Sequence, residues 1–318
     1  MTLTDINKPL VSIIMPTYNH AKFIGGAIES VLNQTYKNFE LIIIDNYSED
    51  NTEKIVANYK NNKIKYLKFR NHGIIAASRN YGIKNSNGEY LAFLDSDDEW
   101  LPQKLELQLI HFRDNNIACV SSDIIFESNV YYSNPNLGKS KKGYKDYCYY
   151  DVLLNNPIAT SSVVIKKTDF LSAGGFDENP DFKFIEDWEL WLRLSQKGKF
   201  RVLDKQLMIY RICQNERDRI DVVKKKLEVI NKHYKLGYVN LHDVKEAKAS
   251  IYFYLACLLL ISEGRLSKEY FFMALKITDT IKTKIKSIFG LLFSIQALTI
   301  RKTIFFLLRK LNRTLRFI

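Results

Sequence analysis

A chain of 318 residues with 46% hydrophobic and 13% aromatic content can bury a large core and is not disordered. Its four cysteines, Cys119, Cys148, Cys213 and Cys257, stand far apart with no Cys-x-x-Cys, which argues against a disulfide framework or a zinc site and for a reducing compartment. The net charge of +12 lies wholly after residue 220, where 19 Lys+Arg face 7 Asp+Glu, marking a composition boundary near residue 215 and an anionic partner for the last third. The N-terminus, Met1-Thr-Leu-Thr-Asp-Ile-Asn-Lys8, lacks the apolar stretch of a signal peptide, so a cytosolic protein is expected.

The first half alternates between strand-like and helix-like segments. Val11–Met15 reads as a strand stopped by Pro16, and residues 21–33 carry Phe23, Ile24, Ala27, Ile28, Val31 and Leu32 at helical spacing. Glu40–Asp45 is a second buried strand, followed by a helix near 52–60, a short strand Ile64–Leu67 and a helix over 75–86 closed by Asn87-Gly88. Tyr90–Leu94 is a further strand, and Pro102 opens an amphipathic helix to about Asn115. Strands alternating with crossover helices imply an α/β fold with a mostly parallel, doubly wound sheet. Residues 128–150 are polar and tyrosine-rich and read as a long surface loop of the kind that often forms lids. Ser161–Ile165 reads as a strand, Gly174-Gly175-Phe176 as a tight turn, and 186–197 as a helix. From about Asn215 the pattern is helical to the end.

The strand Tyr90–Leu94 ends in Asp95-Ser-Asp-Asp98. Ligands bind at the carboxyl ends of parallel strands, and two aspartates one residue apart there can share a hard divalent cation whose shell a phosphate completes. The run alone reads more readily as an acidic, solvated turn, and context has to decide.

Several segments together settle the context. Val11-Ser-Ile-Ile-Met-Pro-Thr-Tyr-Asn19, Ser30-Val-Leu-Asn-Gln-Thr-Tyr-Lys-Asn-Phe-Glu-Leu-Ile-Ile-Ile-Asp45, Ala77-Ser-Arg-Asn-Tyr-Gly82, Asp95-Ser-Asp-Asp98, Gly174-Gly-Phe-Asp-Glu178 and Glu186-Asp-Trp-Glu-Leu-Trp-Leu-Arg-Leu194 follow one another. In that order they resemble the family 2 glycosyltransferases of the GT-A fold, over roughly residues 9–211. The resemblance implies an inverting glycosyltransferase that moves a hexosyl or N-acetylhexosaminyl group from a nucleoside-diphosphate sugar. It implies Mn²⁺ or Mg²⁺ held by Asp97 with Asp95 as helper, Asp98 being a supporting group or a helix N-cap. Such an ion would neutralise the charge built on the departing diphosphate. Asp187 then matches the general base that deprotonates the acceptor hydroxyl, with Glu186 orienting a sugar hydroxyl; acidic residues in a first helical turn are the plainer alternative. Donor contacts are implied for Pro16, Thr17, Tyr18, Asp45, Asn46, Arg79, Asp95 and Ser96, with Arg79 near the diphosphate.

Two departures stand out. Where many members read Asp-Asp-Gly-Ser, this chain has Asp45-Asn-Tyr-Ser48, so the Asn46 carbonyl would replace a carboxylate that accepts from uracil N3–H. Where the family often reads Tyr-Arg-x-His, this chain has Tyr210-Arg-Ile-Cys213, a thiol that Mg²⁺ does not favour; the role is then lost or taken by a neighbour such as Gln214 or Asn215.

The domain expectation is a catalytic domain over 1–214 and a basic helical region over 215–318. After Asp279 no acidic residue remains, while nine basic residues alternate with apolar clusters such as Ile288–Phe293 and Ile304–Leu308. The uncharged stretch 287–300 is too short for a comfortable membrane span, and the pattern fits interfacial helices on an anionic membrane surface. A helical bundle with a solvated basic face is the alternative, and no nucleic-acid module is present. The resemblance implies a lipid-linked or oligosaccharide acceptor at the inner face of a bacterial membrane, in O-antigen, lipopolysaccharide or capsule assembly. A nucleotidyltransferase would want a Gly-rich phosphate loop that Pro16-Thr-Tyr-Asn-His20 does not supply, and an inactive glycan-binding module should have lost Asp97 or Asp187.

Overall fold

The computed structural model describes residues 8–127, 140–154, 156–211, 216–259, 263–280, 283–285 and 287–288. The chain forms two compact units, one of residues 1–152 with 156–213 and one of 214–318 with 153–155.

Among the described residues, the first unit is built on a nine-stranded mixed sheet. Its strands are β1 (Val11–Thr17), β2 (Phe39–Asp45), β3 (Ile64–Lys68), β4 (Tyr90–Phe93), β5 (Glu99–Trp100), β6 (Ile117–Glu127), β7 (Tyr144–Tyr147), β8 (Val164–Lys166) and β9 (Lys199–Arg211). The order is β3-β2-β1-β4-β8-β6-β9-β5, with β7 on β9. The block β3-β2-β1-β4 is parallel throughout, as is β6 with β9, whereas β8, β5 and β7 run antiparallel to their neighbours. β1 and most of β2 are buried on both faces, which is why their sequences are nearly continuous apolar runs.

β1 runs two residues past the expected stop at Met15. The Ile14 carbonyl accepts from Leu94 N–H, so Ile14, and by the two-residue pleat Pro16, face β4. β4 has ended at Phe93, so no ladder partner there misses the proline N–H.

Helices α1 (Ile24–Leu32), α2 (Thr52–Ala57) and α3 (Ile75–Lys84) connect the parallel strands. α1 buries Ile24, Ala27, Ile28 and Val31, the apolar stripe of a 3.6-residue period. α3 lies so close to the sheet that a Cβ on Gly82 would stand 2.5 Å from Ile44 Cδ1. α4 (Lys104–Leu109) is shorter than the expected helix because a 3-10 turn over Ile110–Arg113 finishes it.

Part of the expected 128–150 loop is regular structure. β7 pairs with β9, tied by the Asp146–Arg201 ion pair at 2.7 Å and by Arg201 stacked 3.9 Å over the Tyr144 ring. Residues 128–139 lie outside the described residues. α5 (Tyr149–Leu154), α6 (Lys167–Ser172) and α7 (Glu186–Leu194) complete this part. Gly174 and Gly175, both at positive φ (87° and 75°), make the turn after α6 that only glycine adopts without strain.

β8 is antiparallel to β4, so the 3-10 turn Thr160–Ser162 that precedes it lies where the parallel strands end. For the same reason of direction, the end of β9 brings Arg211 back to the Asp95–Asp98 turn, which β5 joins at its far side.

The second unit contains α8 (Glu216–Lys235), α9 (Leu241–Leu259) and α10 (Gly264–Ile277). α9 and α10 pack through Phe253 against Phe271 and Tyr252 against Tyr270. Buried Leu255, Ala256 and Leu259 make residues 251–259 core packing. Among the described residues, no helix is long and apolar enough to cross a membrane.

Candidate active site

At the carboxyl ends of β1, β2 and β4 the expected donor-side and acceptor-side residues converge around one arginine. Arg79, on α3, is 3% exposed and donates from Nη1 to Glu186 Oε1 at 2.7 Å and from Nη2 to Asp95 Oδ1 at 2.9 Å. Burial works against its charge, but Asp95 and Glu186 outweigh it and hold the guanidinium protonated. Glu186 is raised by burial, which Arg79 only partly offsets. Arg79, expected near the diphosphate, is a buried bridge between two carboxylates, and its Nε is left without a hydrogen-bond partner among the described residues.

The acidic turn is divided by exposure. Asp95 and Asp97 are half-buried, whereas Asp98 is buried and accepts from Arg211 N–H at 3.1 Å. Asp98 caps no helix: α4 starts at Lys104, and burial together with Asp95 raises the Asp98 carboxyl to about 8. Arg211 closes the turn from the other side, donating to the Asp97 carbonyl at 2.8 Å and to Glu99 at 2.8 Å, and pairing with Glu127. Asp97 is raised by burial and then by Asp95, the electrostatic state of a carboxylate pair that a cation would relieve. Two hard oxygen donors facing partly outward fit Mn²⁺ or Mg²⁺. Among the described residues no cluster of three or more His, Cys, Asp or Glu could hold a metal, so phosphate and water would complete the shell. Cys213, Gln214 and Asn215 lie outside the described residues.

Ser96 is 1% exposed and its hydroxyl is bonded to His20 Nδ1 at 2.7 Å, so it braces the turn from within where a donor contact was expected. Asp45 is likewise fully buried. Its carboxylate accepts from Ser48 N–H at 3.0 Å, Ser48 Oγ at 2.5 Å and Tyr66 Oη at 2.5 Å, which fixes the β2–α2 turn and leaves it no outward face. Pro16 and Thr17 are buried at the end of β1. Asn46 Oδ1 accepts from Asn71 N–H at 2.9 Å, so the acceptor expected to meet a base already has a partner.

Beside Asn46 opens a polar pocket of about 440 Å³, lined among others by the exposed Tyr18 and Tyr47 and by Lys68, Arg70 and His72. Arg70 stacks 4.8 Å over the Tyr47 ring. Tyr47 and His72 sit at positive φ (58° and 52°), strain of the kind that gathers at ligand sites. Lys68, Arg70, His72 and His20 escaped the sequence reading, because no spacing rule links them to Asn46.

Asp187 stands in the first turn of α7, half-buried. Its Oδ2 accepts from Thr160 Oγ1 at 2.6 Å and its Oδ1 from Trp188 N–H at 2.6 Å. The same three-residue turn reaches the acidic turn, where Ser161 Oγ accepts from Asp95 N–H at 3.0 Å.

Comparison with known proteins assigns the lineage of this arrangement. The Glycosyl transferase family 2 model matches residues 12–166. The Escherichia coli UDP-Glc:alpha-D-GlcNAc-diphosphoundecaprenol beta-1,3-glucosyltransferase WfgD is 35% identical over 211 residues, 65% of this chain and 78% of that relative. The chain belongs to glycosyltransferase family 2. A family relative from Rickettsia conorii, an uncharacterized glycosyltransferase, is 35% identical over 71% of this chain but only 37% of its own length. The chain thus spans little more than a third of that relative. The family fold is also that of a Pyrobaculum calidifontis mannosyltransferase solved with GDP-Man and Mn²⁺, at a TM-score of 0.62 and 14% identity over 98% of this chain and 88% of that one. The GT-A expectation therefore holds, with the antiparallel strands β8, β5 and β7 added to its parallel part.

Proposed function

We propose that this protein is an inverting, divalent-metal-dependent glycosyltransferase that moves a sugar from a nucleoside-diphosphate donor, UDP in the first instance, to a hydroxyl of a lipid-linked glycan in bacterial cell-surface polysaccharide synthesis. The observation that carries the reading is the Arg79 bridge, which ties the donor-side carboxylate Asp95 to Glu186, the neighbour of the base candidate Asp187. The UDP donor and the lipid-linked acceptor are supported by the name of WfgD, a relative covered over 78% of its length.

Asp97 and Asp95 would hold the Mn²⁺ or Mg²⁺, which would supply compensation for the charge of the departing diphosphate. The polar pocket by Asn46, Tyr18 and Arg70 would take the nucleoside, with Tyr18 and Tyr47 offering exposed rings. Asp187 would remove the proton from the acceptor hydroxyl as that oxygen attacks the anomeric carbon opposite the leaving group, and one such displacement inverts the configuration. Glu186, held by Arg79, would set the wall beside it. Attachment to the inner membrane face would come from the basic tail.

Incubation with UDP-glucose, UDP-N-acetylglucosamine, UDP-galactose and GDP-mannose, with Mn²⁺ or with EDTA, tests the reading. Metal-dependent release of nucleoside diphosphate from one of the four, stimulated by an undecaprenyl-diphosphate glycan, is expected. Release of pyrophosphate from a nucleoside triphosphate and sugar phosphate would instead mark a nucleotidyltransferase, and no turnover of any donor an inactive glycan-binding module.

A further inference from the structure

The turn Thr160-Ser161-Ser162 is three consecutive buried hydroxyl residues, and each hydroxyl has a different partner. Ser162 faces inward: its Oγ donates to the Ala159 carbonyl at 2.7 Å and lies 2.5 Å from Ser121 Oγ. Beneath the turn, Trp100 Nε1 donates to the Ser161 carbonyl at 2.7 Å and Gln108 Nε2 to the Ser162 carbonyl at 2.8 Å. The other two hydroxyls face the site, Thr160 on Asp187 at 2.6 Å and Ser161 on the Asp95 amide at 3.0 Å.

We infer that this turn is a clamp that sets the general base against the donor-side acidic turn, with Thr160 as the positioning residue of Asp187; the inference rests on the reading of Asp187 as the base. A carboxylate at the start of a helix can rotate about its Cα–Cβ and Cβ–Cγ bonds, and only one orientation presents a lone pair to an attacking hydroxyl. The Trp188 amide holds Oδ1, but it is the residue's own helix turn and moves with it. Thr160 holds Oδ2 from a separate element, anchored through Trp100 and Gln108 to β5 and α4. Proton transfer depends steeply on such placement. Ser161, one residue on, accepts from the Asp95 backbone N–H, so the same short turn is hydrogen-bonded both to the base candidate and to the acidic turn.

The test compares Thr160→Val, Thr160→Ser and Asp187→Asn, alone and as the Thr160→Val/Asp187→Asn pair, in the full chain with whichever sugar nucleotide of the panel turns over. UDP or GDP binding and thermal melting are followed in parallel. Thr160→Val is expected to lower kcat about tenfold, the scale of a lost hydrogen bond to a charged group, with donor KM and nucleotide binding unchanged. Thr160→Ser should recover most of the loss, and Thr160→Val should add nothing in the Asp187→Asn background. Should Thr160→Val not fold, Thr160→Ala carries the same comparison with the same readings. Unchanged kcat in Thr160→Val while Asp187→Asn is inactive would overturn the clamp and leave the base. A further drop on adding Thr160→Val to Asp187→Asn would likewise overturn it, showing a general structural role. Turnover by Asp187→Asn at the native rate would overturn the base reading itself.

Discussion

Burying a guanidinium costs several kcal/mol, so Arg79 must be repaid by its two carboxylates, and removal of either partner leaves a charge stranded in the core. This makes the site cooperative: Asp95 pairs with Arg79 and, in the proposed function, would also serve the metal, whereas Arg79 forms its ion pairs with neither Asp97 nor Asp187, so these two can be changed more cleanly. Asp97→Asn should therefore fold normally yet lose Mn²⁺- or Mg²⁺-dependent transfer, since an amide removes the charge that holds the cation to the diphosphate. Turnover near the native rate with an unchanged metal requirement would end the metal assignment. Asp187→Asn should leave UDP or GDP binding nearly intact and lower transfer at least about 10²-fold, a usual scale for a lost general base. Calorimetry of nucleotide binding beside initial rates separates the outcomes, and affinity falling with rate would make Asp187 a binding residue. Motif order made the meeting of Asp95, Glu186 and Asp187 at the strand ends legible in the sequence, and the roles proposed for them follow from their residue types. Asp45 and Ser96 were legible in place but not in role: whether a carboxylate or hydroxyl points out or is tied to Tyr66, Ser48 or His20 is decided by neighbours 3 to 76 residues away. Thr160 carried no signal at all, because a threonine's partner across the fold leaves no trace in local spacing.

Elements followed the same logic of visibility. β1, β2 and β4 are buried on both faces, so their apolar runs announce them; β6 is equally buried at first but contains Ser121, Ser122 and Asp123, whose polar side chains break the pattern. β9 is broken likewise by Asp204, Lys205 and Gln206, where its register against β6 shifts. Under these strands lies an unusual lysine. Lys104 on α4 is fully buried, with Nζ 2.7 Å from Gln108 Oε1 and 4.0 Å from the centre of the Trp100 ring. Burial pushes its ammonium well below the usual lysine range. The unfolded chain therefore binds a proton that the fold releases, between the depressed folded value and the ordinary value near 10.4. Within that window the contribution of Lys104 to stability rises with pH, and it falls as the solution is acidified. Lys104→Met, which keeps the volume and removes the titration, should flatten this dependence. The difference in unfolding free energy between native protein and variant should change in favour of the native form by up to about 1.4 kcal/mol per pH unit as pH rises. Parallel urea-unfolding curves from pH 6 to pH 9 would show instead that Lys104 stays charged in the fold.

At the scale of the whole molecule, charge is the feature that divides the chain, since the basic excess lies entirely after residue 220. The helices of the second unit have their own core and their own closing device. Glu246, buried on α9, accepts from Thr278 Oγ1 at 2.8 Å, Asp279 N–H at 2.9 Å and Thr280 N–H at 3.3 Å. Those contacts say where the tail can be cut: a chain ending after Thr280 keeps every partner of Glu246, whereas a cut before Thr278 would leave a buried carboxylate unmet. The truncated protein should retain donor turnover, and its melting beside that of the full chain measures what residues 283–285 and 287–288, with the buried Ser287, add. It should bind vesicles containing anionic phospholipid more weakly, because nine basic residues after Thr280 are gone, each worth about 1 kcal/mol when held close to such a surface. Not all nine can face one plane, so the measured loss must be smaller than their sum. Salt should weaken binding of the full chain only in part, since Phe289, Phe293, Phe305 and Phe306 would insert whatever the ionic strength. Residues 289–318 lie outside the described residues, and vesicle flotation of the two proteins at low and high salt decides their role. Equal flotation would make the tail a packing or oligomerisation element, and the proposed engagement of a lipid-linked acceptor would then have to come from the acceptor glycan alone.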